Sequence, residues 1–107
     1  MVSINPGDTG TATSTAGAAT INHTGGVITT EALTTGAGSD YSFTLTNNCI
    51  TASSNVIITV GNGTNSTTPY DVHSVQPAAG SVTFKINNGN GSATAFNGTL
   101  KIYFTVI

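Results

Sequence analysis

Residues 98–106 read Gly-Thr-Leu-Lys-Ile-Tyr-Phe-Thr-Val, and this stretch decides the fold class. Apolar and polar residues alternate along it, so that Leu100, Ile102, Phe104 and Val106 share one side. Successive side chains of a β-strand point to opposite faces, and a period of two therefore predicts a strand with one buried face. The sequence ends on a half-buried strand.

The same alternation recurs upstream. Residues 41–46 alternate apolar with hydroxyl side chains, and residues 81–86 place Val82, Phe84 and Ile86 on one face. Further β-rich segments, separated by turn-forming Gly, Asn and Pro, are residues 18–22, 27–33, 55–60 and 70–75. Seven short strands at this spacing predict an all-β fold, a single antiparallel β-sandwich or jelly roll. We expect the first two of these segments to pair as a hairpin, and Pro77 to end the strand that precedes it.

The N-terminal residues have a different composition. Residues 1–17 are of low complexity, rich in Thr, Ala, Ser and Gly, and show no pattern that buries a face. We interpret them as an extended arm that lies on a partner, in front of a β-sandwich domain formed by residues 18–107.

Charged side chains are scarce. The chain has 107 residues, of which two are Lys or Arg and four are Asp or Glu. Two cations cannot neutralise a run of phosphates or form a polybasic membrane patch, and no apolar run reaches the roughly 20 residues of a membrane-spanning helix. One Cys cannot form an internal disulfide. We therefore expect no nucleic-acid or membrane partner, and a surface with little charge to oppose self-association.

The titratable side chains do not form a recognisable catalytic or metal site. His73 and Asp71 share one face of a predicted strand, but a metal needs three or four convergent ligands, so a solvent-facing pair is the simpler interpretation. Cys49 has no base near it in sequence and is interpreted as a small core residue. Glu31 and Asp40 could be imagined as a carboxylate pair, yet no aromatic sugar cleft accompanies them. We expect no enzyme activity, no metal and no cofactor.

Two surface features suggest binding. Ile57 is out of phase with its strand, and Tyr103 and Ile107 lie on the outward face of the last strand. Apolar residues on the second face of a sheet often mark an interface, so we expect these three residues to contact a neighbouring subunit. The polar loop of residues 62–68 offers hydroxyl and amide groups that could hold a sugar, although most polar loops are only connections.

A succession of segments carries a family resemblance. It runs through residues 26–35, 41–48, 50–57, 77–84 and 97–104, with a Thr-x-x-Ser-x-Val-Ile step from Thr51 and a Pro-x-x-Gly-Ser-x-Thr step from Pro77. This succession resembles small virion structural proteins of tailed bacteriophages, notably capsid decoration (cement) proteins and the β-sandwich modules of phage fibres.

The resemblance implies a function. Such a decoration protein is a homotrimer without enzyme activity, made in the host cytoplasm, that lies on the outer capsid surface and stabilises the shell by bridging major capsid subunits. The N-terminal arm would then contact the capsid through Val2, Ile4 and Pro6. The alternative is a tail-fibre or receptor-binding module that recognises a host surface glycan through its polar loops.

Overall fold

The computed structural model of the chain describes residues 9–67, 71–89 and 94–107, and this part holds eight β-strands and no helix. β-Branched and aromatic residues are frequent in the longer strands, as suits a pleated and half-buried surface. The predicted all-β class is confirmed. In chain order the strands are β1 (Thr9–Thr13), β2 (Ala18–Thr20), β3 (Gly25–Thr29), β4 (Asp40–Thr46), β5 (Val56–Asn62), β6 (Asp71–Ala78), β7 (Ser81–Asn87) and β8 (Leu100–Val106).

The strands form two mixed sheets of four strands each. Sheet I has the order β1-β3-β8-β5, and sheet II has the order β2-β4-β7-β6. Most neighbours are antiparallel, but β1 runs parallel to β3 and β2 runs parallel to β4. The expectation of purely antiparallel sheets is therefore wrong at the two N-terminal strands. The arrangement is compatible with a β-sandwich.

The core lies between the two sheets, because alternating strands turn their apolar faces toward each other. Phe43 of β4 and Phe84 of β7 stack with ring centroids 5.2 Å apart. Fully burying a side chain of this size contributes roughly 1.5–3 kcal/mol. The predicted inward faces of the strands around residues 41–46, 81–86 and 98–106 are confirmed. The buried apolar residues are Ile21, Ile28, Leu33, Phe43, Leu45, Ile50, Val56, Val82, Phe84, Ile86, Phe96, Leu100, Ile102, Phe104 and Val106.

Part of the expected N-terminal arm belongs to the sheets. β1 pairs with β3 over its whole length, and a two-residue turn at Ala16 and Gly17 then leads into β2 of the other sheet. The sheet gains β1 because Thr-Gly-Thr-Ala-Thr also alternates, with small residues on the inward side. Residues 1–8 lie outside the described residues.

Two local expectations are wrong. The segments that we expected to pair as a hairpin contain β2 and β3, which lie in different sheets. Pro77 does not end its strand, because β6 continues to Ala78. A proline lacks a backbone N–H, and β6 tolerates it because the strand is at the edge of sheet II, where one side has no ladder to complete.

Candidate interaction surface

The outer face of sheet I brings together the three residues predicted to form an interface. β8 lies between β3 and β5, and the register places Tyr103 beside Val27 on one side and Thr59 on the other. Ile57 is one row further along β5 on the same face, and Ile107 follows the end of β8 with the same side-chain direction as Tyr103. The alternation of the sequence therefore predicted correctly that each of these side chains points outward, and the pairing of β5 with β8 places them on one face.

These three side chains are also the exposed large apolar residues of the described part of the chain. Ile57 is 47% exposed, Tyr103 43% and Ile107 48%. Among the described residues, no other large apolar side chain reaches such exposure. The three side chains lie in neighbouring rows of one sheet face, and their role in subunit contact stays a prediction.

Hydroxyl groups occupy most of the remaining outer face of sheet I. Every second residue of β1 is an exposed threonine, namely Thr9, Thr11 and Thr13. Thr59 is likewise exposed on β5. Lys101 is the one charged side chain that the described residues place on this face. The face is thus nearly neutral, and binding to it would depend on apolar contact and hydrogen bonds.

The outer face of sheet II has the opposite character. It carries Asp40, Asp71 and Lys85 together with the imidazole of His73, all exposed. In the described chain no large apolar side chain is exposed there. Hydroxyl, amide and small side chains fill the rest of the face. The two outer faces of the molecule therefore differ in both charge and exposed apolar side chains.

The histidine on sheet II bonds to a different carboxylate from the one expected. His73 Nε2 lies 3.0 Å from Asp40 Oδ1, which also accepts a 2.9 Å hydrogen bond from Asn87 Nδ2. The hydrogen bonds from Asn87 and from His73 hold the pKa of the Asp40 carboxyl below its usual value. No group of three His, Cys, Asp or Glu residues that could hold a metal occurs in the described residues, and Asp71 takes no part in the His73 contact that is observed.

A second polar cluster surrounds Glu31. Its carboxylate accepts hydrogen bonds from Ser14 Oγ, from Tyr41 OH at 2.9 Å and from the Gly17 N–H at 2.9 Å. Burial alone would raise the pKa of Glu31, but hydrogen bonds from Ser14, from its own backbone, from Tyr41 and from Gly17 hold the pKa below its usual value. Burial and the adjacent Glu31 carboxylate raise the pKa of Tyr41. The cluster fastens the turn between β1 and β2 to both sheets.

Glu31 and Asp40 are not a carboxylate pair. Asp40 and Tyr41 are neighbours in β4, and their side chains therefore leave opposite faces of the strand. Tyr41 bonds to Glu31, whereas Asp40 bonds to His73 on the outer face. Sequence reasoning missed the cluster because Ser14, Glu31 and Tyr41 are far apart in the chain and only the fold brings them together.

The polar loop after β5 is bonded to the segment before β8. The N–H groups of Thr64 and Thr99 each donate to the other residue's Oγ1 at 2.9 Å. Asn97 accepts from the Ser66 N–H and donates its own N–H to Asn65 Oδ1, both at 2.8 Å. We call this set of bonds between residues 63–67 and 95–99 the loop clamp. It engages many of the groups that were expected to be available to a sugar, while Thr68 lies outside the described residues.

Cys49 is exposed, and the prediction that it fills the core is wrong. Asn47 turns inward at this point instead, with its Nδ2 donating to the His23 carbonyl at 2.6 Å and its Oδ1 accepting from the Cys49 N–H at 2.7 Å. Ile50 is the next buried apolar residue. The buried side chain in the turn after β4 is therefore Asn47, which hydrogen-bonds to backbone groups of His23 and Cys49, and not the cysteine that we expected there.

The expected capsid contacts Val2, Ile4 and Pro6 lie outside the described residues. Within the described part of the chain, no helix has the length and apolar character needed to cross a bilayer. Comparisons of the chain with protein-family models, with curated proteins and with solved structures found no match.

Proposed function

We propose that this chain is a non-catalytic β-sandwich module of a phage virion: a capsid decoration protein that trimerises on the head surface and bridges major capsid subunits. One observation supports the proposal most. The two outer sheet faces differ. Sheet I exposes Ile57, Tyr103 and Ile107 and carries a single charged side chain among its described residues. The outer face of sheet II instead carries charged side chains and exposes no large apolar one among its described residues. The family resemblance supplies the virion context.

The proposed mechanism is binding energy alone. Burial of apolar surface contributes roughly 25 cal/mol per Å², and the exposed apolar residues of sheet I offer such surface to a neighbouring subunit. Each contact is modest, but many symmetry-related copies act together, and avidity makes the shell hard to open. In this proposal the N-terminal residues Val2, Ile4 and Pro6 contact the major capsid protein on the outer surface.

Two matched variants test the role of the face. Tyr103→Asp places a carboxylate on the outer face of sheet I, and Thr44→Asp places one at an exposed position on the outer face of sheet II. The proposal predicts that Tyr103→Asp lowers the occupancy of purified heads at least tenfold and that Thr44→Asp leaves it unchanged. Equal occupancy for both variants, with both proteins folded by circular dichroism, would contradict the proposal.

The alternative, glycan recognition through polar loops, has less support. The loop clamp engages Thr64, Asn65, Ser66 and Thr67 in bonds within the chain. Copy number separates the two functions, because a decoration protein coats the head whereas a receptor-binding module is present in few copies at the tail.

A further inference from the structure

The four sheet edges of this molecule are not equally open. Sheet II ends in β2, which has three residues, and in β6, whose ladder is interrupted between His73 and Gln76. Ser74 in this irregular stretch has a φ of 56°, and Pro77 follows it. Short strands, bulges and prolines are the devices by which proteins block pairing at a sheet edge. Both edges of sheet II are therefore protected.

Sheet I has none of these devices at its described edges. β1 reads Thr-Gly-Thr-Ala-Thr and β5 reads Val-Ile-Ile-Thr-Val-Gly-Asn, without charge or proline. Each pairs with its inner neighbour in an unbroken register. In the described chain no strand pairs with the outer side of either one. Such uncharged and regular edges are templates for pairing with another chain.

Backbone groups of β5 point to its open side. Asn55 and Ile107 exchange two hydrogen bonds, and the Gly63 N–H bonds to the Thr99 carbonyl at 2.9 Å, so odd-numbered residues face β8. Even-numbered residues therefore direct their N–H and C=O groups outward, as at Ile58. The inward side chains of Ile58 and Val60 are only partly buried, and those of Val72 and Val75 on neighbouring β6 are likewise partly buried.

Backbone groups of β1 are arranged in the same way. The Ser14 N–H bonds to the Thr29 carbonyl at 2.9 Å, which places the even-numbered residues of β1 toward β3. The N–H groups of Thr9, Thr11 and Thr13 consequently face outward. Their side chains are exposed, so a change there removes no core packing.

We propose that sheet I continues from one copy of this chain into the next, with the β5 edge of one copy paired to the β1 edge of its neighbour. A second copy fits because neither strand carries a charge and because this join satisfies both open edges, whereas β5 paired with β5 leaves β1 open. Within sheet I, β1 and β5 run in the same direction, since β3 is parallel to β1 and two antiparallel steps separate β3 from β5.

A ring of copies follows from this geometry. Rotation about an axis along the strands preserves their direction, so β5 and the neighbouring β1 form a parallel pair, as β1 already does with β3. Head-to-tail contacts close into a ring when the rotation closes, and closure leaves sheet I without an edge. Only the number of copies, three, rests on the proposed function. Ile57 lies on β5, next to the proposed junction between two copies. Pairing of the strand edges would therefore bring the neighbouring copy close to the exposed apolar side chain of Ile57, in the same interface.

Engineered cysteines test the join directly. In a Cys49→Ser background, Thr11→Cys is combined in turn with Ile57→Cys, Thr59→Cys or Gly61→Cys, positions that share the outer face. Within one chain β1 and β5 are three strand spacings apart, about 14 Å, whereas a disulfide needs Cα atoms within about 7 Å. We expect at least one pair to give a covalent trimer on a non-reducing gel after oxidation. The proposal would be overturned if no pair gives a cross-link. It would also be overturned if Thr59→Cys without Thr11→Cys gives disulfide-linked dimers, because such dimers would show that β5 pairs with β5.

A proline variant tests the backbone contact. Thr11→Pro removes one outward N–H and leaves the ladder to β3 intact, while Thr11→Ala keeps the N–H and serves as the control. We expect sedimentation equilibrium to give a trimer of the 10.7 kDa chain for the wild type and for Thr11→Ala, and a monomer for folded Thr11→Pro. A wild-type monomer, or a folded trimeric Thr11→Pro, would overturn the join.

Deletion of residues 1–8 tests another occupant of the edge. The ring requires that the shortened protein stays trimeric, and a monomer would assign the β5 edge to those residues instead. All these experiments use isolated protein, whereas the proposed function is tested by occupancy on heads. A ring that never binds heads would therefore refute the function alone, and a bound protein without cross-links would refute the ring alone.

Discussion

Ala16 and Gly17 show how single residues set the path of the N-terminal strands. Both have positive φ, 51° and 76°, and the flanking residues Thr15 and Ala18 exchange backbone hydrogen bonds of 3.0 and 3.1 Å. Two central residues with positive φ are typical of type I′ turns, in which Asn-Gly is the favoured pair. Gly17 has the required freedom, whereas Ala16 is strained.

Asparagine at position 16 should relieve this strain. A left-handed conformation costs an ordinary residue about 1 kcal/mol, and Asn tolerates it better than Ala does. We expect Ala16→Asn to raise the free energy of unfolding by roughly 0.5–1 kcal/mol, measured by urea denaturation. Ala52→Asn, at an exposed alanine without positive φ, is the control and should change it by less than about 0.5 kcal/mol. A destabilised Ala16→Asn would show that the turn differs from this description.

Glu31 should make stability depend on acid. Its pKa is lower in the folded protein than in the unfolded chain, so its contribution is complete above the ordinary glutamate pKa of about 4.3 and is lost as the pH falls through the lower folded-state pKa. Glu31→Gln retains the shape but loses hydrogen bonds to a charged acceptor, each worth about 1.5–3 kcal/mol. We expect lower stability at pH 7 and a shallower loss below pH 5, by urea denaturation across that range. If Glu31→Gln leaves the pH dependence of the free energy of unfolding unchanged below pH 5, Glu31 does not have this stabilising role.

At the scale of the elements, the loop clamp holds β5 and β8 together beyond their ladder. Gly98 fits beneath Thr64 because it has no side chain: a Cβ there would lie 2.4 Å from Thr64 Oγ1 and 2.8 Å from the Asn65 backbone nitrogen. The close approach of the two segments is what allows Thr64 and Thr99 to bond reciprocally. A glycine is therefore a packing requirement at this position.

Alanine at Gly98 should open the loop clamp. Overpacking of this kind typically costs about 1–3 kcal/mol, and we expect Gly98→Ala to lower the free energy of unfolding by that amount. Gly36→Ala is the matched control, because its Cβ would meet only Ser39 Oγ at 3.9 Å. The two variants are compared by thermal denaturation, and equal midpoints would argue against the clamp.

Sequence patterns predicted some elements and missed others for a physical reason. The alternation in β4, β7 and β8 is a local property of each segment, and it identified the strands and their buried faces, including Phe84 and Ile102. Strand partners are not local, which is why the parallel additions of β1 and β2 were missed. β1 itself was detectable, since Thr9, Thr11 and Thr13 alternate with small residues, but its low complexity concealed it.

In the whole molecule, the main asymmetry is the difference between its two sheets. Sheet I exposes Ile57, Tyr103 and Ile107 with a single charge, and its two edges are unpaired among the described residues, whereas sheet II has a charged outer face and two protected edges. The alternation predicted Ile57, Tyr103 and Ile107 as outward residues, but only the topology shows that they share a sheet with both open edges. The difference could not be predicted from the sequence, because it depends on which strands join which sheet.

Salt should have little effect on assembly. The outer face of sheet I has one charged side chain among its described residues, so binding there involves few ions that salt could screen. We expect the dissociation constant of the proposed trimer to change by less than a factor of about three between roughly 0.05 and 0.5 M NaCl, measured by analytical ultracentrifugation. A steep loss of assembly with salt would point to a charged interface instead.

The proposed decoration function is tested most directly by the number of copies of this protein in each purified phage particle, relative to the major capsid protein. It can be measured by quantitative gel densitometry. We expect about one copy per capsid subunit, or a simple fraction of that, because a decoration protein coats the head. A few copies per particle would contradict the decoration function and favour a receptor-binding module at the tail.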